Sequence, residues 1–232
     1  MYENLSDLGY SPSYRTAQEI NQAMARVYNH MFLAVAMSMI VSLAMASSTA
    51  AMAIFFGPIT KWITIFAPLA FVFALPWAIN SSVNRLGAQL ILLAFAAVMG
   101  LSMSALMSLF TGASVFTAFL GAAVLFGSMS LYGYFTGRDL HHWGKYLFFA
   151  VLAIVIVSVI NVFIGSSVMQ MVISAVAIVL FMALTAYDTQ QIRQTLCRAD
   201  ENHRAEVMGA LSLYLNFINI FTSLLHLTGD RE

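Results

Sequence analysis

Charged residues are scarce in this sequence of 232 amino acids, and cysteine is nearly absent. Only 9% of the residues are charged and 61% are hydrophobic, whereas a soluble domain has about 25% charged and about 45–50% apolar residues. A disordered chain is excluded too, because such chains are poor in hydrophobic residues. The single cysteine, Cys197, excludes an intrachain disulfide and a multi-cysteine metal site. The composition therefore predicts a polytopic membrane protein.

Long stretches without any charge set the number of membrane crossings. The stretches are residues 27–60, 62–84, 86–137, 146–187 and 207–229. Because one helical crossing needs about 20 residues, they hold one, one, two, two and one crossings. The two long stretches break at small and polar residues, at 110–114 and at 165–167. The predicted fold is all-α, with seven transmembrane helices, here called spans 1 to 7.

The basic residues lie mostly on one side of these seven spans. That side holds Arg15, Arg26, Arg85, Arg138, Lys145, Arg193, Arg198 and Arg204, and the other side holds Lys61 and Arg231. Basic loops stay in the cytoplasm, so we expect a cytoplasmic N-terminus and an external C-terminus. We assign residues 1–26 to a cytoplasmic arm, 27–229 to the transmembrane domain and 230–232 to a short tail. The lipid bilayer is one expected partner, and the zero net charge gives no indication of a nucleic acid.

Asp188 is the acid that the spans do not readily explain. It ends an apolar run, and the helix can continue to about Leu196, which would leave the carboxylate inside the bundle. A charge in hydrocarbon costs roughly 2.5–3.5 kcal/mol. Asp188 therefore either meets a polar partner within the bundle, or lies at the cytoplasmic interface, where it caps a helix or pairs with Arg193. The residues alone leave both alternatives open.

The hairpin between spans 6 and 7 offers a polar partner. If the chain turns near Asn202, Asp188 and Asn216 lie equally far from the turn, and antiparallel helices rise equally per residue. The two side chains should then reach the same depth. Asn219 follows one turn later, and two aromatic hydroxyls are close in sequence. These additional candidates for the polar site are Tyr187 and Tyr214.

Four short segments resemble the Bax inhibitor-1 family, also called the transmembrane Bax inhibitor motif family, and in particular its bacterial branch. The segments are AYDTQ at 186–190, ALSLYLNFINIF at 210–221, SLYGY at 130–134 and RDL at 138–140. The resemblance extends over nearly the whole chain from about Tyr14. It implies a seven-helix bundle with span 7 near the centre, in a bacterial inner membrane.

The resemblance also implies a calcium leak that is controlled by pH. In that family two aspartates, in spans 6 and 7, share a proton and close the pore. Asp188 matches the first aspartate, but Asn216 stands at the position of the second. Residues that could latch the cytoplasmic side are Arg193, Arg138 and Asp139. The family's acid and arginine around span 2 have no counterpart within residues 62–84.

The asparagine changes the expected gate. Two carboxylates in contact repel unless one holds a proton, whereas an amide cannot titrate and donates to a carboxylate at any pH. We therefore expect Asp188 and Asn216 to stay in contact and the pH response to be weak. Calcium prefers 6–8 oxygen ligands, so we expect Asp188 to hold it weakly and transiently. No cofactor is expected.

Two other functions are alternatives to a leak channel. The first is a membrane interaction protein, without channel activity, that modulates a membrane protease or other membrane machinery. The second is an intramembrane enzyme. An intramembrane aspartyl protease needs two carboxylates at depth, and the spans supply Asp188 alone. We therefore predict that the protein is not an enzyme.

Overall fold

A computed structural model describes residues 15–58, 60–81, 84–197 and 203–230, and these residues form helices and no strand. The helices are α1 (Ala17–Ala46), α2 (Thr49–Phe55), α3 (Thr60–Ser81), α4 (Arg85–Met107), α5 (Gly112–Phe135), α6 (Gly144–Ile164), α7 (Ser167–Leu196) and α8 (His203–Thr228). All but α2 are long and apolar enough to cross a membrane. The predicted all-α fold with seven spans is confirmed. The predicted turn at Asn202, together with Arg198, Arg231, residues 1–14 of the arm and residues 231–232 of the tail, lies outside the described residues.

The two predicted breaks are present, and local capping explains them. Between α4 and α5, the Thr111 side chain accepts the N–H of Ser114 and so caps the start of α5. Between α6 and α7, Gly165 adopts a left-handed conformation with φ of 70°. This conformation favours glycine, which has no Cβ to clash. Ser166 then caps α7 by accepting the N–H of Met169.

The first two helices differ from the pattern seen in the sequence. α1 begins at Ala17, so residues 17–26 of the segment assigned to the arm are helical. Thr16 and Glu19 start this helix with a reciprocal capping box. α1 ends before Ser47, and Ser48 caps the additional short helix α2. The charge pattern gave no indication of α2, because α2 and all of α1 after Arg26 lie within one charge-free stretch.

α8 lies at the centre of the bundle. In its most apolar window 61% of the residues are buried, against 33% or less for the other spans. It contacts α7, α5, α1, α4 and α3, whereas α6 packs mainly against α7. α1, α4 and α8 begin, and α5 and α7 end, at one end of the bundle. This arginine-rich end carries Arg15, Arg85, Arg138, Arg193 and Arg204.

Close approaches between helices depend on single glycines. A Cβ built on Gly133 of α5 would lie 2.8 Å from the Cα of Ala186 in α7. A Cβ on Gly100 of α4 would lie 2.9 Å from the Cα of Ser38 in α1. Small residues let membrane helices approach until their backbones touch. The Gly133–Ala186 approach fixes the segment of α7 that directly precedes Asp188.

We expect Gly133→Ala to destabilise the bundle by about 1–3 kcal/mol, because the new methyl group would collide with backbone that cannot move aside. Thermal unfolding of the purified protein in detergent measures this effect. Gly127→Ala is the matched control on the same helix, since a Cβ there has open space around it. Equal unfolding temperatures for the two variants would show that the close approach does not contribute to stability.

Candidate functional site

Asp188 of α7 and Asn216 of α8 are in direct contact. The Asn216 Nδ2 atom donates a hydrogen bond to the Asp188 Oδ2 atom over 2.7 Å. Asn216 is only 4% exposed, while Asp188 is partly buried. The shared depth that the hairpin register predicts is therefore present. Because the amide supplies the proton of this bond, the carboxylate can remain ionised.

The continuation of α7 past its apolar run brings Asp188 to this position. α7 extends to Leu196, as predicted, so Asp188 lies inside the helix rather than in a loop. Arg193 is directed to α5 instead of Asp188: its Nη1 atom donates to the Tyr134 carbonyl over 2.9 Å. Its guanidinium also lies 4.8 Å from the centre of the Tyr134 ring. The observed partner of Asp188 is thus Asn216 and not the interfacial arginine.

A cavity with both polar and apolar walls reaches Asp188 from the arginine-rich end. Its volume is about 220 Å³, and it lies between the last turns of α7 and the first turns of α8. Residues on its two walls include Asp188, Gln191, Thr195, Gly209 and Ser212. Among the residues that line it, Asp188 alone carries a charge. The cavity therefore presents one carboxylate together with amide and hydroxyl oxygens, which are the ligand atoms that calcium prefers.

The other residues predicted for the polar site point elsewhere. Asn219 donates to the carbonyl of Leu215 in its own helix over 2.7 Å and so is not part of the contact. Tyr214 is fully buried and packs edge-to-face against Phe95 of α4, with ring centres 5.9 Å apart. The Tyr187 hydroxyl lies against Gly144, at the start of α6. Of the five predicted residues, two come together.

The remaining latch candidates organise the loop between α5 and α6. The Arg138 carbonyl accepts a hydrogen bond from Gln190 Nε2 over 2.8 Å. Asp139 Oδ1 accepts the backbone N–H of His141, at the start of a 3-10 turn, over 2.8 Å. Gln190 lies two residues after Asp188, so this contact fixes the loop to the same part of α7.

A second buried acid, which the sequence analysis missed, lies at the start of α8. Glu206 is 1% exposed. Its Oε1 atom accepts bonds from Arg26 of α1, at 3.0 Å from Nε and 2.7 Å from Nη2. Its Oε2 atom lies 3.2 Å from Arg85 Nη2, in α4. These three residues form the Glu206 ion cluster, which joins α1, α4 and α8.

A signal for this cluster was present in the sequence. Glu206 precedes Ala210 by four residues and Leu213 by seven, so the three share one helix face. Ala210 and Leu213 are fully buried, which makes that face the core side of α8. An acid on a buried face requires a cationic partner. The position of Glu206 at the start of a span, next to loop charges, had concealed this signal.

The chain is similar to one known family and to several bacterial proteins. The sequence model of the family described as "Inhibitor of apoptosis-promoting Bax1" matches residues 20–232. Inner membrane protein YbhL of Escherichia coli K12 is 33% identical over 217 residues, which cover 90% of this chain and 92% of YbhL. A Deinococcus radiodurans protein is 36% identical over 225 residues, or 94% of each chain. A Rickettsia prowazekii protein is 32% identical over 216 residues, or 92% of this chain and 91% of its own.

We expect Glu206→Gln to lower the free energy of unfolding by about 1–3 kcal/mol, because two arginines would lose their buried counterion. The loss of stability is no larger because both arginines are partly exposed, and water can solvate their charges. Thermal unfolding in detergent measures it. Asp139→Asn, at an acid that is 61% exposed, is the control and should change little. No difference between the variants would exclude a stabilising role for the cluster.

Proposed function

This chain belongs to the Bax inhibitor-1 family of integral membrane proteins, and we propose that it forms a calcium leak pathway whose gate is the Asp188–Asn216 contact. The observation that carries the proposal is the position of this contact beside a cavity between α7 and α8 that holds one carboxylate and several neutral oxygen atoms. The role is a passive, non-enzymatic one. Like the E. coli relative named for the inner membrane, the protein would act in the inner membrane of a bacterium.

The chemistry of the cavity suits a cation that passes rather than one that is stored. Asp188 supplies one negative charge, and Gln191, Thr195 and Ser212 supply neutral oxygen atoms. Tight calcium sites use 6–8 oxygens with several carboxylates. With one carboxylate the cavity would attract calcium and release it again, which is what conduction requires.

Packing on the other faces of α8 supports a closed state of this pathway. Phe217, which follows Asn216, packs edge-to-face on Phe119 and Phe126 of α5, with ring centres 5.5 Å and 5.8 Å apart. Phe221 also packs on Phe119. These ring contacts make the described contact of α5 with this part of α8 apolar. Opening would therefore need α8 to move relative to α7, which breaks the hydrogen bond of Asn216.

The cavity would open to the cytoplasm. It lies at the arginine-rich end of the bundle, and basic residues concentrate on the cytoplasmic side of inner-membrane proteins. In this orientation the N-terminus is cytoplasmic and the C-terminus external. Calcium would reach Asp188 freely from the cytoplasm, and the closed helix packing would separate it from the outside.

We expect Asn216→Ala to raise calcium flux about tenfold or more in liposomes, because a hydrogen bond to a charged group is worth about 1.5–3 kcal/mol. Adding Asp188→Asn to this variant should remove the gain, since the cation then meets no charge. Asn219→Ala is the matched control, because its side chain bonds only its own helix. Wild-type and Asn216→Ala proteins that pass no calcium would refute the leak. Copurification of a membrane protease with such inactive protein would favour the modulator function.

We expect Asn216→Asp to make the flux depend on pH. Two carboxylates hold each other only while a proton is shared between them. The contact should therefore persist at low pH, where the pair holds a proton, and break as the pH rises and the proton is lost, with flux increasing. Wild-type protein should show a much flatter profile over the same range, measured with a calcium dye inside liposomes. Parallel profiles for the two proteins would contradict the proposed role of the amide.

A further inference from the structure

A groove on the outside of the bundle separates α1 from α5 at the arginine-rich end. Its volume is about 460 Å³, within the range of about 300–1,000 Å³ that is typical of small-molecule sites. We call it the α1–α5 groove. Its apolar walls include Met24, Ala25, Phe126, Gly127, Leu131 and Phe135. Leu131 is 61% and Phe135 76% exposed, so the groove opens outward on the surface of two membrane-spanning helices.

The polar groups of the groove are already bonded to each other. The Tyr134 hydroxyl donates to Asn21 Oδ1. Two turns further along α1, the Tyr28 hydroxyl and the Ser130 hydroxyl share a hydrogen bond of 2.5 Å. These bonds bridge the two helices and leave few polar atoms for a ligand. A ligand in the groove would therefore meet mainly hydrocarbon walls, which suit an acyl chain.

The charges at the end of the groove favour an anionic head group. Arg193 lies over the ring of Tyr134, which lines the groove, and its side chain is exposed. Arg15 precedes α1 and Arg138 follows α5, so both stand at the same end. Two acids lie near these arginines: Glu19 is held in the capping box of α1, and Asp139 accepts the backbone N–H of His141. The three arginines outnumber them. Basic residues at a membrane surface attract anionic lipids by about 1 kcal/mol each.

We propose that the α1–α5 groove binds one acyl chain of an anionic phospholipid, whose phosphate group is held by Arg193 and its neighbouring arginines. The inference does not depend on calcium conduction, because it rests on the shape, the apolar walls and the charge of this surface. Phe126 forms part of the groove wall and also packs on Phe217 of α8. A bound acyl chain would thus support the packing of the central helix.

Native mass spectrometry of the full chain in detergent tests the acyl-chain site, with phosphatidylglycerol added. Gly127→Leu should lower lipid binding about tenfold, because its side chain would displace about two methylene groups worth about 0.8 kcal/mol each. A side chain at position 127 has open space around its Cβ. Gly112→Leu, at an equally open position at the opposite end of α5, should bind lipid like wild type. Unchanged binding by Gly127→Leu, or equal loss in both variants, would overturn the proposal.

The head-group preference is tested by exchanging lipids and by changing one charge. Phosphatidylglycerol should bind at least about fivefold better than phosphatidylcholine, and Arg193→Gln should reduce this preference about fivefold. Arg193→Lys keeps the charge and should restore the preference, which a role limited to positioning Tyr134 would not allow. Equal binding of the two lipids by wild-type protein would overturn the proposed preference for an anionic head group. Failure of Arg193→Lys to restore the preference would overturn it as well.

Discussion

The cost of placing a carboxylate among apolar helices is the constraint on which this structure depends. Asp188 lies within a membrane-spanning helix, and its charge needs a partner at the same depth. Asn216 provides one through a bond of 2.7 Å that requires no proton transfer. This hydrogen bond joins α7 to α8 at the depth of Asp188. The cavity beside the contact is lined by polar side chains of α7 and α8 together with apolar ones.

α8 is held at two depths by two different acids. At its start, Glu206 joins it to α1 and α4 through two arginines. Ten residues later, which is about 15 Å along a helix, Asn216 joins it to α7. Between and beyond these points, aromatic rings such as Phe217 fill its contact with α5. A central helix that is held on several sides can rotate or slide only when these contacts change together.

Much of the fold could be predicted because the signals are local. Charge-free stretches set the number of spans, and breaks at Gly165 and near Thr111 follow from the conformational freedom and capping ability of single residues. The Asp188–Asn216 contact was also accessible, since a tight hairpin fixes the register of two antiparallel helices. The short helix α2 could not be predicted from the charges. Its N-cap, Ser48, lies inside a stretch that has no charged residue on either side of the cap.

The sequence alone determined the membrane class, the seven spans and the shared depth of Asp188 and Asn216. Only the tertiary structure decided which way each polar side chain points. Tyr214 and Asn219 lie close to Asn216 in sequence, yet one faces α4 and the other its own backbone. Glu206 finds its partners in α1 and α4, far away in the chain. The physical reason is that packing against all its neighbours sets how a helix is rotated about its axis. These neighbours are distant in the sequence, so a local pattern does not predict the rotation.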